Sequence, residues 1–155
     1  MQDIFTEDTG SGTPLVLVHG FLGSSNMWSP QINFFKNNFR VIAPALPGFG
    51  NSSNINSCDS ITCMAIAVLN LLEKKEIKNF NLLGHSMGGM IVQEMAKIAG
   101  EKILKLICYG TGPIGNIPGR FETMDKSREK LKINGLEVTA NRIAKTWFIE
   151  EDKSK

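Results

Sequence analysis

Leu15-Val16-Leu17-Val18 is apolar at every position. A strand built from it presents apolar side chains on both faces, so both faces must be covered. Pro14 precedes the run and His19-Gly20 ends it. Three further runs have the same character: Arg40-Val41-Ile42-Ala43, Phe80-Asn81-Leu82-Leu83 and Ile103-Leu104-Lys105-Leu106-Ile107-Cys108-Tyr109. The last reads as an interior strand. Helical patterns separate the runs. One is short, around Pro30 to Lys36. A second covers Ile61 to Lys75, with an apolar stripe at Ile61, Ala65, Val68, Leu69 and Leu72. The third covers Ser86 to Ala99, with Met87, Met90, Ile91, Met95 and Ile98 on its buried face and Gly100 as a C-cap. Strands and helices alternating in this order predict an α/β fold with a parallel sheet and helices on both sides.

After Tyr109 the character changes. Residues 110–119 are rich in glycine and proline, and no further strand is expected beyond them. Two amphipathic helices are predicted instead. Phe121, Met124, Arg128 and Leu131 mark the first, which ends near Asn134-Gly135; Leu136, Ala140, Ile143, Ala144 and Trp147 mark the second. The expected organisation is therefore a core segment, 1–110, and a helical segment, 111–155.

Composition excludes several function classes. The 155 residues carry 17 basic and 15 acidic side chains for a net charge of +2, with no basic cluster to form a nucleic-acid face. The N-terminus, Met1 to Asp8, is acidic and lacks the pattern of a signal peptide, and the apolar stretch Ile61 to Leu72 is too short to cross a bilayer. A cytoplasmic protein without a membrane partner is expected. Cys58, Cys63 and Cys108 match no metal-ligand or redox spacing and read as small core or loop residues. No cofactor and no metal are expected.

The chemistry centres on Gly84-His85-Ser86-Met87-Gly88. G-x-S-x-G between a strand and a helix is the signature of a nucleophile elbow, a sharp turn that lifts a serine hydroxyl clear of the sheet. Gly84, Gly88 and Gly89 allow the close backbone approach such a turn needs. A serine attacking a carbonyl also needs N–H donors for the developing oxyanion, and loops at the carboxyl ends of neighbouring parallel strands can aim two amides at one point. The candidates are the backbone N–H groups of Phe21, in His19-Gly20-Phe21-Leu22-Gly23, and of Met87. His19 ends a strand and reads as a residue that orders its loop through hydrogen bonds. His85, adjacent to Ser86, reads as a structural neighbour rather than the base. No histidine follows Ser86.

Taken together, Leu15 to Phe21, Val41-Ile42-Ala43-Pro44, Leu46-Pro47-Gly48-Phe49-Gly50-Asn51-Ser52 and Gly84 to Gly89 resemble, in order and spacing, the N-terminal half of the α/β-hydrolase superfamily. The resemblance implies an α/β-hydrolase fold that is incomplete at its C-terminus, with Ser86 as nucleophile, an oxyanion hole from the Phe21 and Met87 amides, and a helical lid starting after Tyr109. Its expected partner is a small-molecule carbonyl substrate: an ester, a lactone or a related compound. Where members of the superfamily commonly carry an aspartate before Leu-Pro-Gly, this chain has Ala45. The superfamily orders its triad as serine, acid, histidine. Glu122, Asp125 and Glu129 fall in the predicted lid helices and read as solvated rather than as the triad acid. The 155 residues alone are accordingly expected to be inactive. The alternative is a non-catalytic fragment or an interaction protein that reuses the fold.

Overall fold

The computed structural model describes residues 3–114 and 123–145. The chain forms two compact units, Met1–Gly115 and Asn116–Lys155. In the first, five strands make one sheet: β1 (Thr6–Thr9), β2 (Pro14–Val18), β3 (Arg40–Pro44), β4 (Phe80–His85) and β5 (Ile103–Tyr109), in the order β1-β3-β2-β4-β5. β2, β3, β4 and β5 are parallel, and β1 runs antiparallel to β3.

Helices α1 (Ser29–Phe35), α2 (Ile61–Lys74) and α3 (Met87–Ala99) fill the connections. The apolar strands β2, β3 and β4 are covered on both faces, as their composition demands. Val16, Val18, Ile42, Phe80 and Leu82 pack with Met64, Val68, Ile91 and Met95 of α2 and α3. Leu15, Leu17, Val41 and Ala43 turn the other way, onto Trp28 and the α1 residues Ile32 and Phe35. α2 starts where Ser60 accepts the Cys63 N–H on its hydroxyl at 3.2 Å, an N-cap worth about 1 kcal/mol. α3 carries its buried face on Ile91, Val92, Met95 and Ala99, whereas Ile98, expected on that face, is 45% exposed. Gly100 follows α3 with right-handed helical dihedrals and opens a 3₁₀ turn instead of adopting the left-handed C-cap.

β1 was absent from the sequence expectation. Thr-Glu-Asp-Thr carries no apolar signal, and the strand exists because its backbone pairs with β3 from Thr6↔Pro44 to Thr9↔Val41. Asp8 is clamped by Arg40 and Lys75, each 2.8 Å from its Oδ2. β5 departs from expectation in the opposite sense: six of its seven residues are exposed. Cys58 and Cys63, expected as small core or loop residues, are joined in a disulfide with their Cα atoms 5.6 Å apart; Cys108 is free and exposed.

Among the described residues the second unit contains one helical element, α4 (Met124–Lys145), broken at Gly135, where φ is +77°. The break falls where the two helices were expected to meet. Phe121, Glu122, Trp147 and the charged tail lie outside the described residues. Among the described residues no helix is long and apolar enough to cross a membrane.

Candidate active site

The chain leaves β2 toward β3 on one side and returns to place β4 on the other, so the strand order reverses between β2 and β4. In an open parallel sheet the loops at such a point diverge and leave a crevice at the carboxyl ends of the strands, where ligands bind. Val18 is level with Gly84. The two segments singled out in the sequence, 19–23 and 84–88, therefore emerge side by side at this crevice.

Ser86 joins β4 to α3 with φ +55° and ψ −120°. A residue with a Cβ held at positive φ stores on the order of 1–3 kcal/mol of strain, sustained only where the surroundings over-determine it. Here they do. The Ser86 N–H donates to the Tyr109 carbonyl at 3.0 Å, and the Ser86 carbonyl accepts from the Gly89 N–H at 2.9 Å. A Cβ on Gly84 would collide with the Gly88 backbone, and one on Gly88 with the Val18 carbonyl. Serine at a helix N-cap usually spends its hydroxyl on a first-turn amide. Ser86 makes no such bond.

The opposite wall is the 19–23 loop. A Cβ on Gly20 would lie 2.9 Å from the Ser86 Cβ, so the absence of a side chain there is what lets the two loops touch. The Gly23 N–H closes a turn onto the Gly20 carbonyl at 3.1 Å, with Leu22 at φ +60°. This turn places Phe21, 48% exposed, at the mouth. Met87 is the first residue of α3, where an amide has no carbonyl ahead of it in the helix. The structure thus brings Ser86, the Gly20-Phe21 segment and Met87 to one end of the sheet.

His19 has both ring nitrogens engaged and is not free to take a proton from Ser86. His19 is fully buried; its Nε2 accepts the Leu46 N–H at 3.0 Å, which places the ring proton on Nδ1, 2.8 Å from the Gly20 carbonyl that accepts it. Burial pushes its pKa down, so the ring stays neutral. His85 packs on Tyr109 with ring centroids 5.5 Å apart, its Nδ1 buried without a partner, and burial lowers its pKa as well. Among the described residues no cluster of His, Cys, Asp or Glu could hold a metal ion.

The 46–50 loop was not foreseen as part of this region. Phe49 stands edge-on to both His19 and Phe21, at 5.6 and 6.1 Å. The Leu46 amide is the one that fixes His19. The segment with Ala45 therefore orders the Phe21 loop through a backbone amide and an aromatic ring, and no acid is needed at position 45 for that contact.

Residues 13–144 match the family described as the alpha/beta hydrolase fold, and the chain belongs to that family. It is 36% identical over 134 residues to the dihydrolipoyllysine-residue acetyltransferase component of the acetoin cleaving system of Pseudomonas putida, covering 86% of this chain and 33% of that protein. It is 25% identical over 148 residues to the (E)-2-((N-methylformamido)methylene)succinate hydrolase of Acinetobacter baylyi, covering 96% and 55%. Among solved structures, a thermophilic esterase from Thermogutta terrifontis superposes with a TM-score of 0.80 at 30% identity, covering 90% of this chain and 52% of that one. The enol-lactonase of Burkholderia xenovorans superposes at 0.83 with 21% identity, covering 96% and 57%, a likeness of fold. The chain spans from a third to just over half of the length of these proteins.

Proposed function

We propose that this chain carries the nucleophile half of a serine hydrolase acting on a small ester, lactone or related carbonyl compound. Ser86 is the nucleophile, and the backbone N–H groups of Phe21 and Met87 form the oxyanion hole. The observation that carries the reading is Ser86 itself: a strained φ of +55°, a hydroxyl withheld from capping α3, and the side-chain-free Gly20 against it. The esterase likeness at 30% identity supports the substrate class.

In this reading the Ser86 Oγ adds to the substrate carbonyl carbon, and the carbonyl oxygen takes the negative charge between the two amides. Donors held at that point before reaction supply several kcal/mol of transition-state stabilisation. The proton leaving Oγ needs a base. His19 has both ring nitrogens engaged and is not read as that base, and His85, whose Nδ1 is buried without a hydrogen-bond partner, is read as a structural neighbour of Ser86. α4 is read as the start of a helical lid.

An arylboronic acid tests the site without requiring turnover, because a serine hydroxyl adds to boron to give a tetrahedral anion that an oxyanion hole stabilises. The expected result is a tetrahedral ¹¹B resonance with the wild-type chain and none with Ser86→Ala. Equal spectra from the two would leave the non-catalytic interaction protein as the better reading.

A further inference from the structure

Cys58 and Cys63 are bonded to each other across the start of α2. Cys63 belongs to the first helical turn and is exposed; its amide is the one that donates to the capping Ser60 hydroxyl. Cys58 is half-buried on the core cluster that also carries Phe49 and Met87. The two sulfurs therefore differ in access, and a thiol from solvent reaches Cys63 first.

The bond holds a segment that little else holds. Among the described residues no hydrogen bond joins residues 56–59 to a distant part of the chain. The disulfide fixes one end of the segment, and Ser57, seated against Gly48, fixes the other. Gly48 has φ +85° and no room for a side chain, since a Cβ there would fall 2.7 Å from the Ser57 Cβ. Its amide donates to the Ser52 carbonyl at 3.0 Å, and the next residue is Phe49, whose ring stands edge-on to His19 and Phe21. The bonded pair is thus joined to the wall of the crevice by packed contacts. Disulfides open to solvent are the labile ones, exchanging with thiols while the protein stays folded. The reduced pair has support of its own. The first-turn amides of α2 favour negative charge on the Cys63 sulfur, and no acidic residue occupies that turn.

We propose that Cys58 and Cys63 form a thiol–disulfide exchange site whose oxidation state sets the order of the 46–52 loop beside the crevice. The reductant is a dithiol. One of its thiolates attacks the Cys63 Sγ, the bond to Cys58 breaks, and Cys58 leaves as a thiolate that takes up a proton. The second thiolate of the reductant then displaces Cys63 from the mixed disulfide. The dithiol ends as a cyclic disulfide, having given up two electrons and two protons, and the protein ends with two thiols. Freed from Cys63, residues 56–59 no longer press Ser57 onto Gly48, and the 46–52 loop loses that support.

Dithiothreitol, added to the full 155-residue chain with and without urea, tests the exchange, with iodoacetamide trapping and mass spectrometry reporting the thiols at Cys58 and Cys63. Reduction of the native chain at a rate within about tenfold of that in urea is expected. Amide exchange is then compared between the oxidised and reduced chains. The amides of Leu46, Gly48, Phe49 and Ser52 should exchange about tenfold faster after reduction, and those of Val16 and Leu82 at an unchanged rate. Cys58→Ser/Cys63→Ser should match the reduced chain with or without dithiothreitol; should it not fold, the oxidised and reduced wild-type chains carry the test by themselves. Reduction that waits for unfolding overturns the exchange site. Equal acceleration of all six amides overturns the coupling, because the bond then stabilises the fold as a whole, and so does no acceleration at all. The readout involves neither Ser86 nor turnover, so its outcome is separate from that of the hydrolase reading.

Discussion

The Leu46 amide donates to Nε2 of His19 at 3.0 Å, joining the loop after β3 to the loop after β2 through a single buried ring. Because the other ring nitrogen serves the Gly20 carbonyl, His19 holds both walls of the crevice in one tautomer. Replacing it with Phe keeps the bulk and removes the acceptor, stranding a buried N–H. Such a group costs about 1–3 kcal/mol. His19→Phe should lower stability by that amount in urea titrations; an unchanged midpoint would show that the ring only fills space.

The same residue sets a pH dependence. Burial lowers the folded-state pKa of both His19 and His85 below the ordinary value of 6.5. Between the folded and unfolded pKa values the unfolded chain binds more protons, so stability rises with pH there. The neutral rings contribute fully above about pH 6.5 and progressively less as pH falls below it. Urea midpoints measured from pH 7.5 to pH 5 should decline, and the decline should be smaller in His19→Phe.

At the far edge of the sheet Asp8 behaves in the acid range. Its hydrogen bond from Arg40, with a further one from Lys75, lowers its pKa to about 2, against desolvation that acts the other way. A carboxylate with a depressed folded pKa contributes stability above its unfolded value of 3.8 and loses it as pH falls toward 2. The group is partly solvated, so about 1–2 kcal/mol is expected after screening. Asp8→Asn should cost that much at pH 7 and only a small part of it by pH 2, as read by denaturant titration; an equal cost at both pH values would contradict the ion-pair account.

The Cys58–Cys63 disulfide closes a short loop around the Ser60 cap of α2, with Ser57 packed against Gly48 just before it. Closing a loop this short restricts the unfolded chain by about 2 kcal/mol on the chain-entropy account. Without reductant, one thiol per chain should react with Ellman's reagent under denaturing conditions, and three after reduction. Reduction should lower the melting temperature. Three reactive thiols before reduction would show that the pair is not bonded.

Gly20 tests the contact between the loops most directly. A Cβ there would meet the Ser86 Cβ at 2.9 Å, closer than real Cβ contacts come. Gly20→Ala should push the 19–23 loop away from Ser86 and weaken arylboronic acid binding by about tenfold, while overpacking costs roughly 1–3 kcal/mol of stability. Undiminished boronate affinity would mean that the loop does not line the site.

Much of this protein was legible in its residues taken in order. Four runs with apolar residues on adjacent positions read as strands, three of which, β2, β3 and β4, are covered on both faces, and the helical stripes between them fit parallel crossovers. Gly84, Ser86 and Gly88 announce a tight strand-to-helix turn, since backbone approach is a property of the residue. Contacts between distant segments were decided only by the tertiary structure. β1 is a strand because the β3 backbone lies beside it, and Thr-Glu-Asp-Thr has no periodicity to reveal that. His19 is held as an acceptor by an amide 27 residues away, and Phe49 enters the crevice because the strand order reverses between β2 and β4. Ile103 to Tyr109 has the composition of an interior strand, but exposure depends on the neighbours a strand finds, and among the described residues β5 pairs with β4 alone.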